Sequence, residues 1–230
     1  MEIQSAEFVR GIKGTDPILN SGLPQIAFVG RSNVGKSSTL NALLNRKDLV
    51  AVSKKPGKTT EINFFLVNEK IYFVDLPGYG YARAGSKKRE KIKKLIVWYL
   101  TSGEARPATR EPGERSHDSA KASLDCVLYT NHKVLGQNWS SRRMPALVAL
   151  ITDIQAGFTD FDKEMLRIIQ EQGYPYVVVA NKIDKLNQKE IARELLKMKN
   201  ESNVIEIFPH SAKTKKGMDI LREKLLDSCK

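Results

Sequence analysis

The eight residues GRSNVGKS, from Gly30 to Ser37, decide how this chain folds. They fit the pattern G-x-x-x-x-G-K-[ST] and directly follow PQIAFVG (24–30), an apolar run typical of a buried strand. A segment with helical periodicity, SSTLNALLNRK (37–47), comes next. A strand, a glycine-rich turn and a helix in this order predict a loop that binds phosphate groups.

The chemistry of the loop follows from its residue types. Its backbone N–H groups and the positive end of the following helix can hold the α- and β-phosphates of a nucleotide. Gly30 and Gly35 leave room for the turn and for phosphate oxygens, which a Cβ would block. Lys36 is expected to reach the β- and γ-phosphates, and the Ser37 hydroxyl is expected to ligate Mg²⁺.

Strands and helices alternate along the rest of the chain. After a polar lead-in, six apolar runs predict strands, and INFFLVN and IYFVDL are expected to form a hairpin. The other predicted strands are 24–30, 146–152, 176–181 and 204–208, and the later predicted helices are 87–100, 162–173 with Gly173 as its cap, 188–199 and 217–229. This alternation predicts an α/β fold with a mostly parallel, six-stranded sheet and helices on both faces.

One region breaks the alternation. Residues 102–145 have no long periodic apolar face, although the elements on both sides are strong. We therefore expect a single domain over 1–230, with 102–145 as an inserted, largely disordered surface loop. Cys126 with His117 or His132 lacks the paired spacing of a metal site.

A second phosphate-related motif is DLPGYGYA (75–82). Asp75 ends an apolar strand, where its carboxylate can hold a water molecule on Mg²⁺, and the Gly78 N–H can report a γ-phosphate. Tyr79 stands where a glutamine could orient the attacking water, so hydrolysis by the isolated protein should be slow. As an alternative device, we expect Asn33 to help bind K⁺ beside the β- and γ-phosphates.

The motif NKID, from Asn181 to Asp184, predicts the base. The Asp184 carboxylate can accept hydrogen bonds from guanine N1–H and the 2-amino group, donors that adenine lacks at those positions, and burial would sharpen this choice. Lys182 is expected to lie along the base, and Asn181 to tie this loop to the phosphate loop. PHSAK (209–213) fits a loop whose backbone N–H groups, near Ala212, contact guanine O6, with His210 structural rather than catalytic.

A candidate effector loop is KKPGKTTEINFF (54–65). A threonine at its tip is expected to ligate Mg²⁺ when γ-phosphate is present. Thr59 is favoured over Thr60 because it directly follows the Pro-Gly-Lys turn, although the choice stays open.

The charge and the cysteine content of the chain indicate its class of partner and its cellular compartment. The chain has 38 Lys+Arg against 26 Asp+Glu, a net charge of +12, which favours a polyanionic partner, nucleic acid first and an anionic membrane second. Lys87, Lys91 and Lys94 share one face of a predicted helix, and Tyr79 and Tyr81 nearby are expected to stack on unpaired RNA bases. Two cysteines, no apolar leader and no membrane-length apolar run favour a cytoplasmic protein without stable membrane insertion. A monomer is also expected.

Taken together, FVGRSNVGKSS, PGKT before INFF, DLPGYGYA and the late NKID resemble the EngB (YihA/YsxC) family of bacterial ribosome-assembly GTPases, in the TRAFAC class of P-loop GTPases. The similarity covers residues 5–101 and 146–228. It implies a Ras-like P-loop GTPase fold, hydrolysis of GTP to GDP with Mg²⁺, action in assembly of the large (50S) ribosomal subunit with its rRNA, and a link to septation and cell division.

The resemblance also implies the site residues. Mg²⁺ falls on Ser37 and Thr59, and catalysis on Lys36, Asn33, Asp75 and Gly78. Nucleotide contacts fall on Gly30, Arg31, Ser32, Asn33, Val34, Gly35, Lys36, Ser37, Gly57, Lys58, Thr59, Thr60, Glu61, Asp75, Leu76, Pro77, Gly78, Asn181, Lys182, Ile183, Asp184, His210, Ser211 and Ala212. Members of the family more often have Thr at the position of Asn181 and Ser-Ser in place of the HSAK pattern.

Two other functions compete with a GTP-driven switch that acts on ribosomal RNA. One is a GTP-dependent binding module at a membrane or division site, in which hydrolysis is incidental. The other is a small-molecule kinase with a phosphate-binding loop, which NKID argues against.

Overall fold

The structure, a computed structural model, describes residues 2–51, 60–80, 85–101, 145–202, 204 and 206–229. Within these residues seven strands form one sheet: β1 Ala6–Ile12, β2 Gln25–Gly30, β3 Ile62–Val67, β4 Ile71–Asp75, β5 Leu147–Asp153, β6 Tyr176–Asn181 and β7 Ile207–Pro209. The α-helices of this part of the chain are α1 Lys36–Leu43, α2 Ser86–Thr101, α3 Asp160–Glu171, α4 Gln188–Ser202 and α5 Met218–Asp227.

The sheet is mostly parallel, as predicted. Its strand order is β1-β3-β4-β2-β5-β6-β7, and every neighbouring pair from β4 to β7 is parallel. β3 and β4 form the expected antiparallel hairpin, and β1 pairs antiparallel with β3. The predicted α/β class is confirmed.

The expected number of six strands is wrong, because β1 adds a seventh at the edge of the sheet. Most of β1 is exposed, and an irregularity in its pairing lies between Phe8 and Arg10. An edge strand that is covered only at its two ends needs no regular apolar alternation, since its backbone pairing with β3 holds it. The polar lead-in therefore gave no strand signal.

Apolar side chains fill both faces of the sheet. The central strand β2 is buried along its whole length and alternates between the two faces. Ala27 and Val29 pack in one core with α2, α3 and α4, whereas Ile26 and Phe28 pack in the other with α1 and α5. Helices on both faces are thus confirmed.

Several element boundaries differ from the predicted ones. The first helix ends at Leu43 rather than near residue 47, and Asn45 then adopts a left-handed backbone with φ 51°. The last strand lies at Ile207–Pro209, later than the predicted 204–208. Gly173 follows α3 with φ 69°, as expected of a residue that ends a helix.

The parallel strands bring the motifs to one edge of the sheet. The glycine-rich loop follows β2, the Asp-x-x-Gly turn follows β4, and NKID follows β6, each at the carboxyl end of its strand. Ligands of open α/β sheets bind at this edge. Among the described helices, none is long and apolar enough to cross a membrane. Nearly all of the insertion (102–144) lies outside the described residues, including Cys126, His117 and His132.

Candidate nucleotide-binding site

The glycine-rich loop is shaped by its neighbours. A Cβ on Gly30, at the end of β2, would lie 2.6 Å from the carbonyl oxygen of Ile151 in β5. Gly35 has φ 94° and precedes α1, and a Cβ there would collide with the side-chain amide of Asn181. Both glycines are therefore required by packing within the protein, in addition to the room for phosphate that the sequence predicted.

A buried ion pair lies at the base of the loop. Lys36 opens α1 and pairs with Asp75, which ends β4 opposite Phe28 of β2. The Lys36 side chain is 7% exposed and the Asp75 side chain 2%. Ser37 is partly exposed in the first turn of α1. The arrangement provides a cation for phosphate oxygens, and a carboxylate and a hydroxyl of the kind that Mg²⁺ prefers.

The Asp-x-x-Gly turn is bonded directly to the loop. The Leu76 N–H donates to the carbonyl of Phe28 at 3.0 Å, and the Ser32 N–H donates to the carbonyl of Tyr79 at 2.8 Å. The Ser32 hydroxyl also donates to the carbonyl of Gly78 at 3.3 Å. Leu76 and Pro77 are buried. The turn thus runs alongside the residues that precede the helix α1.

The expectation that Tyr79 stacks on RNA bases is wrong. Its side chain is buried, with 6% of the residue exposed, and its hydroxyl donates to Asp162 Oδ1 at 2.9 Å. Burial, and next the negative charge of Asp162, raise the pKa of Tyr79 well above its usual value, so it stays a neutral donor. Tyr81 lies outside the described residues.

Asn181 connects three loops of the site. Its Nδ2 donates to the carbonyl of Val34 at 2.8 Å, which is the expected link between NKID and the glycine-rich loop. Its Oδ1 accepts from the N–H groups of Lys182 and Ala212, at 2.8 and 3.1 Å. Since the Ala212 N–H already has a partner, a contact from it to guanine O6 would have to be shared with Asn181.

Lys182 extends back over the glycine-rich loop. Its Nζ donates to the carbonyl of Asn33 at 2.6 Å and to Asp153 Oδ2 at 2.7 Å. Sequence reasoning missed Asp153, although it closes the strand β5 at the same edge as the motifs. The pair holds the lysine stem in place, which fits the predicted position along a base.

Asp184 is exposed, so the burial that would sharpen the choice of base is absent here. Its Oδ1 accepts a hydrogen bond of 2.6 Å from the hydroxyl of Ser211, a fully buried residue. That hydrogen bond is the largest cause of a pKa for Asp184 below its usual value, so the carboxylate is ionised at neutral pH. A carboxylate has about four acceptor positions, so capacity remains for two donors of a base.

His210 is a fully buried structural link, as expected. Its ring Nε2 lies 3.3 Å from the Thr39 hydroxyl in α1. Its backbone N–H donates to the carbonyl of Ala180, and its carbonyl accepts from the backbone N–H of Ile183. Burial lowers the pKa of the ring to about 4, so the ring is neutral at neutral pH. The histidine ties α1 to the loops that follow β6 and β7.

Only part of the effector loop lies within the described residues. Glu61 is partly buried and forms an ion pair of 3.0 Å with Lys13, and Thr60 is partly exposed. Gly57, Lys58 and Thr59 lie outside the described residues. The choice of Thr59 over Thr60 as a metal ligand stays a prediction.

The glycine-rich loop, the Asp-x-x-Gly turn and NKID, gathered at one edge of this sheet, define a P-loop GTPase. A family model described as 50S ribosome-binding GTPase matches residues 25–182, and one described as elongation factor Tu GTP binding domain matches residues 139–230. The chain belongs to the EngB family of GTP-binding proteins, since it is similar over nearly its whole length to several of its members. It binds GTP and GDP as members of that class do.

Two relatives illustrate the similarity. A probable GTP-binding protein EngB of Chlorobaculum parvum is 35% identical over 226 residues, covering 98% of this chain and 97% of the relative. A probable GTP-binding protein EngB of Bacillus subtilis is 31% identical, covering 95% of this chain and 94% of the relative.

Solved structures agree on the fold. A probable GTP-binding protein engB superposes with a TM-score of 0.59 and 22% identity, covering 89% of this chain and 98% of the other. A single-residue variant of Aquifex aeolicus Era bound to GDP.AlF4⁻ gives a TM-score of 0.59 and 20% identity, covering 90% of this chain and 57% of the other. The predicted P-loop GTPase fold is confirmed.

Proposed function

We propose that this GTPase is a switch that acts in assembly of the large ribosomal subunit and is needed for normal septation and cell division. The main observation that supports this proposal is an exposed lysine face on α2, the helix that begins a few residues after the Asp-x-x-Gly turn. The description of the matching family and the net charge of +12 support the same partner. In this proposal 1–230 is one G domain that carries 102–145 as an insertion, and the protein works as a cytoplasmic monomer.

The proposed nucleotide contacts follow the geometry of the site. Lys36 exchanges its buried partner Asp75 for the β- and γ-phosphates, while the N–H groups of the glycine-rich loop hold the remaining oxygens. Asp184 accepts from the guanine base, and the Gly78 N–H meets the γ-phosphate. Ser37 and Thr59 would hold Mg²⁺, with Asp75 holding a water molecule on it. Mg²⁺ bound there would neutralise charge on the β- and γ-phosphate oxygens.

We further propose that Asn33 helps bind K⁺ and that intrinsic hydrolysis is slow. Asn33 is exposed, has φ 68°, and its carbonyl accepts from Lys182, so the residue is fixed at the rim of the loop. Tyr79 cannot orient water because its hydroxyl is engaged with buried Asp162. A cation at Asn33 would instead offset the charge that develops between the β- and γ-phosphates.

GTP turnover is expected to be about tenfold faster in K⁺ than in Na⁺ at equal ionic strength, because a fixed cation stabilises the transition state. Phosphate release measured in the two salts tests this. Asn33→Gly keeps the left-handed backbone and removes the side chain, so it should remove the difference between the salts. Equal rates for the unmodified protein in K⁺ and Na⁺ would exclude the K⁺ role.

The basic face is arranged for contact with RNA. Lys87, Lys91 and Lys94 are exposed, while Ile92 and Ile96 on the opposite side of α2 are buried in the core. The apolar side thus fixes the helix on the sheet, and the exposed lysines can approach phosphates, Lys94 by exchanging its surface ion pair of 2.8 Å with Glu90. Because α2 begins close to the turn that senses γ-phosphate, nucleotide state and RNA contact can be coupled.

The experiment is co-sedimentation with large-subunit particles in a non-hydrolysable GTP analogue at several salt concentrations. Replacing Lys87, Lys91 and Lys94 by Gln is expected to reduce the slope of log affinity against log salt by about 2, since each lost phosphate contact removes about 0.7–0.9. The matched control replaces Lys189, Lys197 and Lys199, exposed lysines of α4, and should keep the slope.

Two results would contradict the proposal. The first is an equal loss in both triple variants, which would show that only net charge matters. The second is binding to anionic vesicles but not to large-subunit particles, which would favour a GTP-dependent module at a membrane or division site.

A further inference from the structure

A buried carboxylate, Asp162, joins the two phosphate-sensing segments. It is fully buried in the first turn of α3. Its Oδ1 accepts from the Tyr79 hydroxyl at 2.9 Å, and its Oδ2 accepts from Arg31 Nε at 2.8 Å. Oδ2 also accepts from the backbone N–H and the hydroxyl of Thr159, at 3.0 and 2.7 Å. A carboxylate with these four donors is well compensated for its burial.

Two of these donors, Arg31 and Tyr79, come from the two segments that are proposed to meet the triphosphate. Arg31 is the second residue of the glycine-rich loop, and Tyr79 directly follows Gly78. Their backbones form a parallel bridge, and the Ser32 N–H donates to the carbonyl of Tyr79 at 2.8 Å. Asp162 therefore holds side chains of both segments on one rigid helix end.

The phenol of Tyr79 is suited to this contact. Burial and the neighbouring charge of Asp162 keep the proton on its oxygen. A glutamine at this position, free to orient water, would leave Asp162 Oδ1 without this partner. The residue that replaces the water-positioning side chain thus serves a different purpose.

We infer that Tyr79 and Asp162 are positioning residues, which hold the Gly78 N–H ready for the γ-phosphate. The inference rests on the proposed contact between Gly78 and the γ-phosphate. A turn fixed before GTP arrives loses less conformational entropy on binding, and the Gly78 peptide is only one residue from the anchored ring. GDP has no γ-phosphate, so its affinity does not depend on where this peptide lies.

The test is Tyr79→Phe, which keeps the buried ring and removes the hydroxyl. The affinity for GTP is expected to fall on the order of tenfold relative to that for GDP, and the single-turnover hydrolysis rate to fall similarly. The matched control is Tyr99→Phe. Tyr99 is also buried, and its hydroxyl donates to Gln25 Oε1 at 2.8 Å, at the end of β2 opposite the glycine-rich loop. This control should leave the ratio of GTP to GDP affinity unchanged.

A second variant keeps the inference testable if Tyr79→Phe folds poorly. Asp162→Ala removes the acceptor of the Tyr79 hydroxyl, so it should shift the same ratio in the same direction, and the double variant should change the ratio little further, because the contact between Tyr79 and Asp162 is already lost. Equal losses of GTP and GDP affinity in the Tyr79 variant would mean a purely structural role and overturn the inference. If the unmodified protein hydrolyses GTP while Tyr79→Phe behaves as Tyr99→Phe, the positioning role fails, and the proposed switch in ribosome assembly is unaffected.

Discussion

Asp184→Asn is expected to lower the affinity for GTP by about 10²–10⁴-fold, since two hydrogen bonds to a charged acceptor are lost at about 1.5–3 kcal/mol each. The substitution keeps the size of the side chain, and the Ser211 hydroxyl, 2.6 Å from Oδ1, can still donate to the new carbonyl. The loop should therefore keep its shape. What changes is that an amide N–H₂ now faces the donors of guanine.

The same variant should gain affinity for xanthosine triphosphate. Xanthine has a carbonyl where guanine has the 2-amino group, so it can accept a hydrogen bond from the new amide. Competition binding with the guanosine, xanthosine and adenosine triphosphates measures this change in base preference. If one hydrogen-bonding side chain determines which base is bound, a change of that side chain is expected to change the preferred base.

The control is Asp219→Asn, which removes a carboxylate of α5 that is 95% exposed. It changes the net charge equally and should leave all three affinities unchanged. Because Asp184 is exposed in this structure, the bound base itself must shield its carboxylate from water for the site to be selective. An unmodified protein that does not prefer GTP over ATP, or an Asp184→Asn variant that keeps that preference, would refute the proposed base recognition.

Lys36→Met is expected to lower the free energy of unfolding by about 3–5 kcal/mol and to abolish measurable GTP binding, because it leaves a buried carboxylate unpaired. Asp75 is 2% exposed and has Lys36 as its ion-pair partner. The triphosphate loses its central cation at the same time. Urea unfolding without nucleotide, and binding of a fluorescent GTP analogue, measure the two effects separately.

A second substitution separates stability from binding. Adding Asp75→Asn to Lys36→Met removes the unpaired charge, so most of the lost unfolding free energy should return while GTP binding stays absent. Lys93→Met is the control, since its ion pair with Glu164 is partly exposed and should contribute less than about 1 kcal/mol. A Lys36→Met protein as stable as the Lys93 variant, or one that still binds GTP, would contradict the assignment.

Local patterns were enough to predict most of the fold. The apolar runs at 24–30, 146–152 and 176–181 became buried parallel strands, because a strand covered on both faces is apolar at nearly every position. The three motifs were likewise predictable, since each is a short segment whose residue types carry its chemistry. Parallel strand order then brings them to one edge of the sheet.

The interactions between the motifs were not predictable. Tyr79 and Asp162 are separated by 83 residues, and Arg31 and Asp162 by 131, so no periodicity within one element indicates either contact. For the same reason the sequence suggested an exposed, stacking Tyr79, and that expectation was wrong. Burial of a loop side chain depends on what other elements place beside it.

The sequence by itself determined the class of fold, the order of its main elements and the presence of the three motifs that define the class of protein, because these depend on local hydrophobic pattern and on short segments. Only the tertiary structure decided that β1 joins the sheet edge, that Lys36 pairs with Asp75, and that Asp162 anchors the turn. The physical reason is that these contacts join residues far apart in the sequence, which become neighbours only once the connections between strands have folded. A pattern along the chain does not show which distant residues become neighbours.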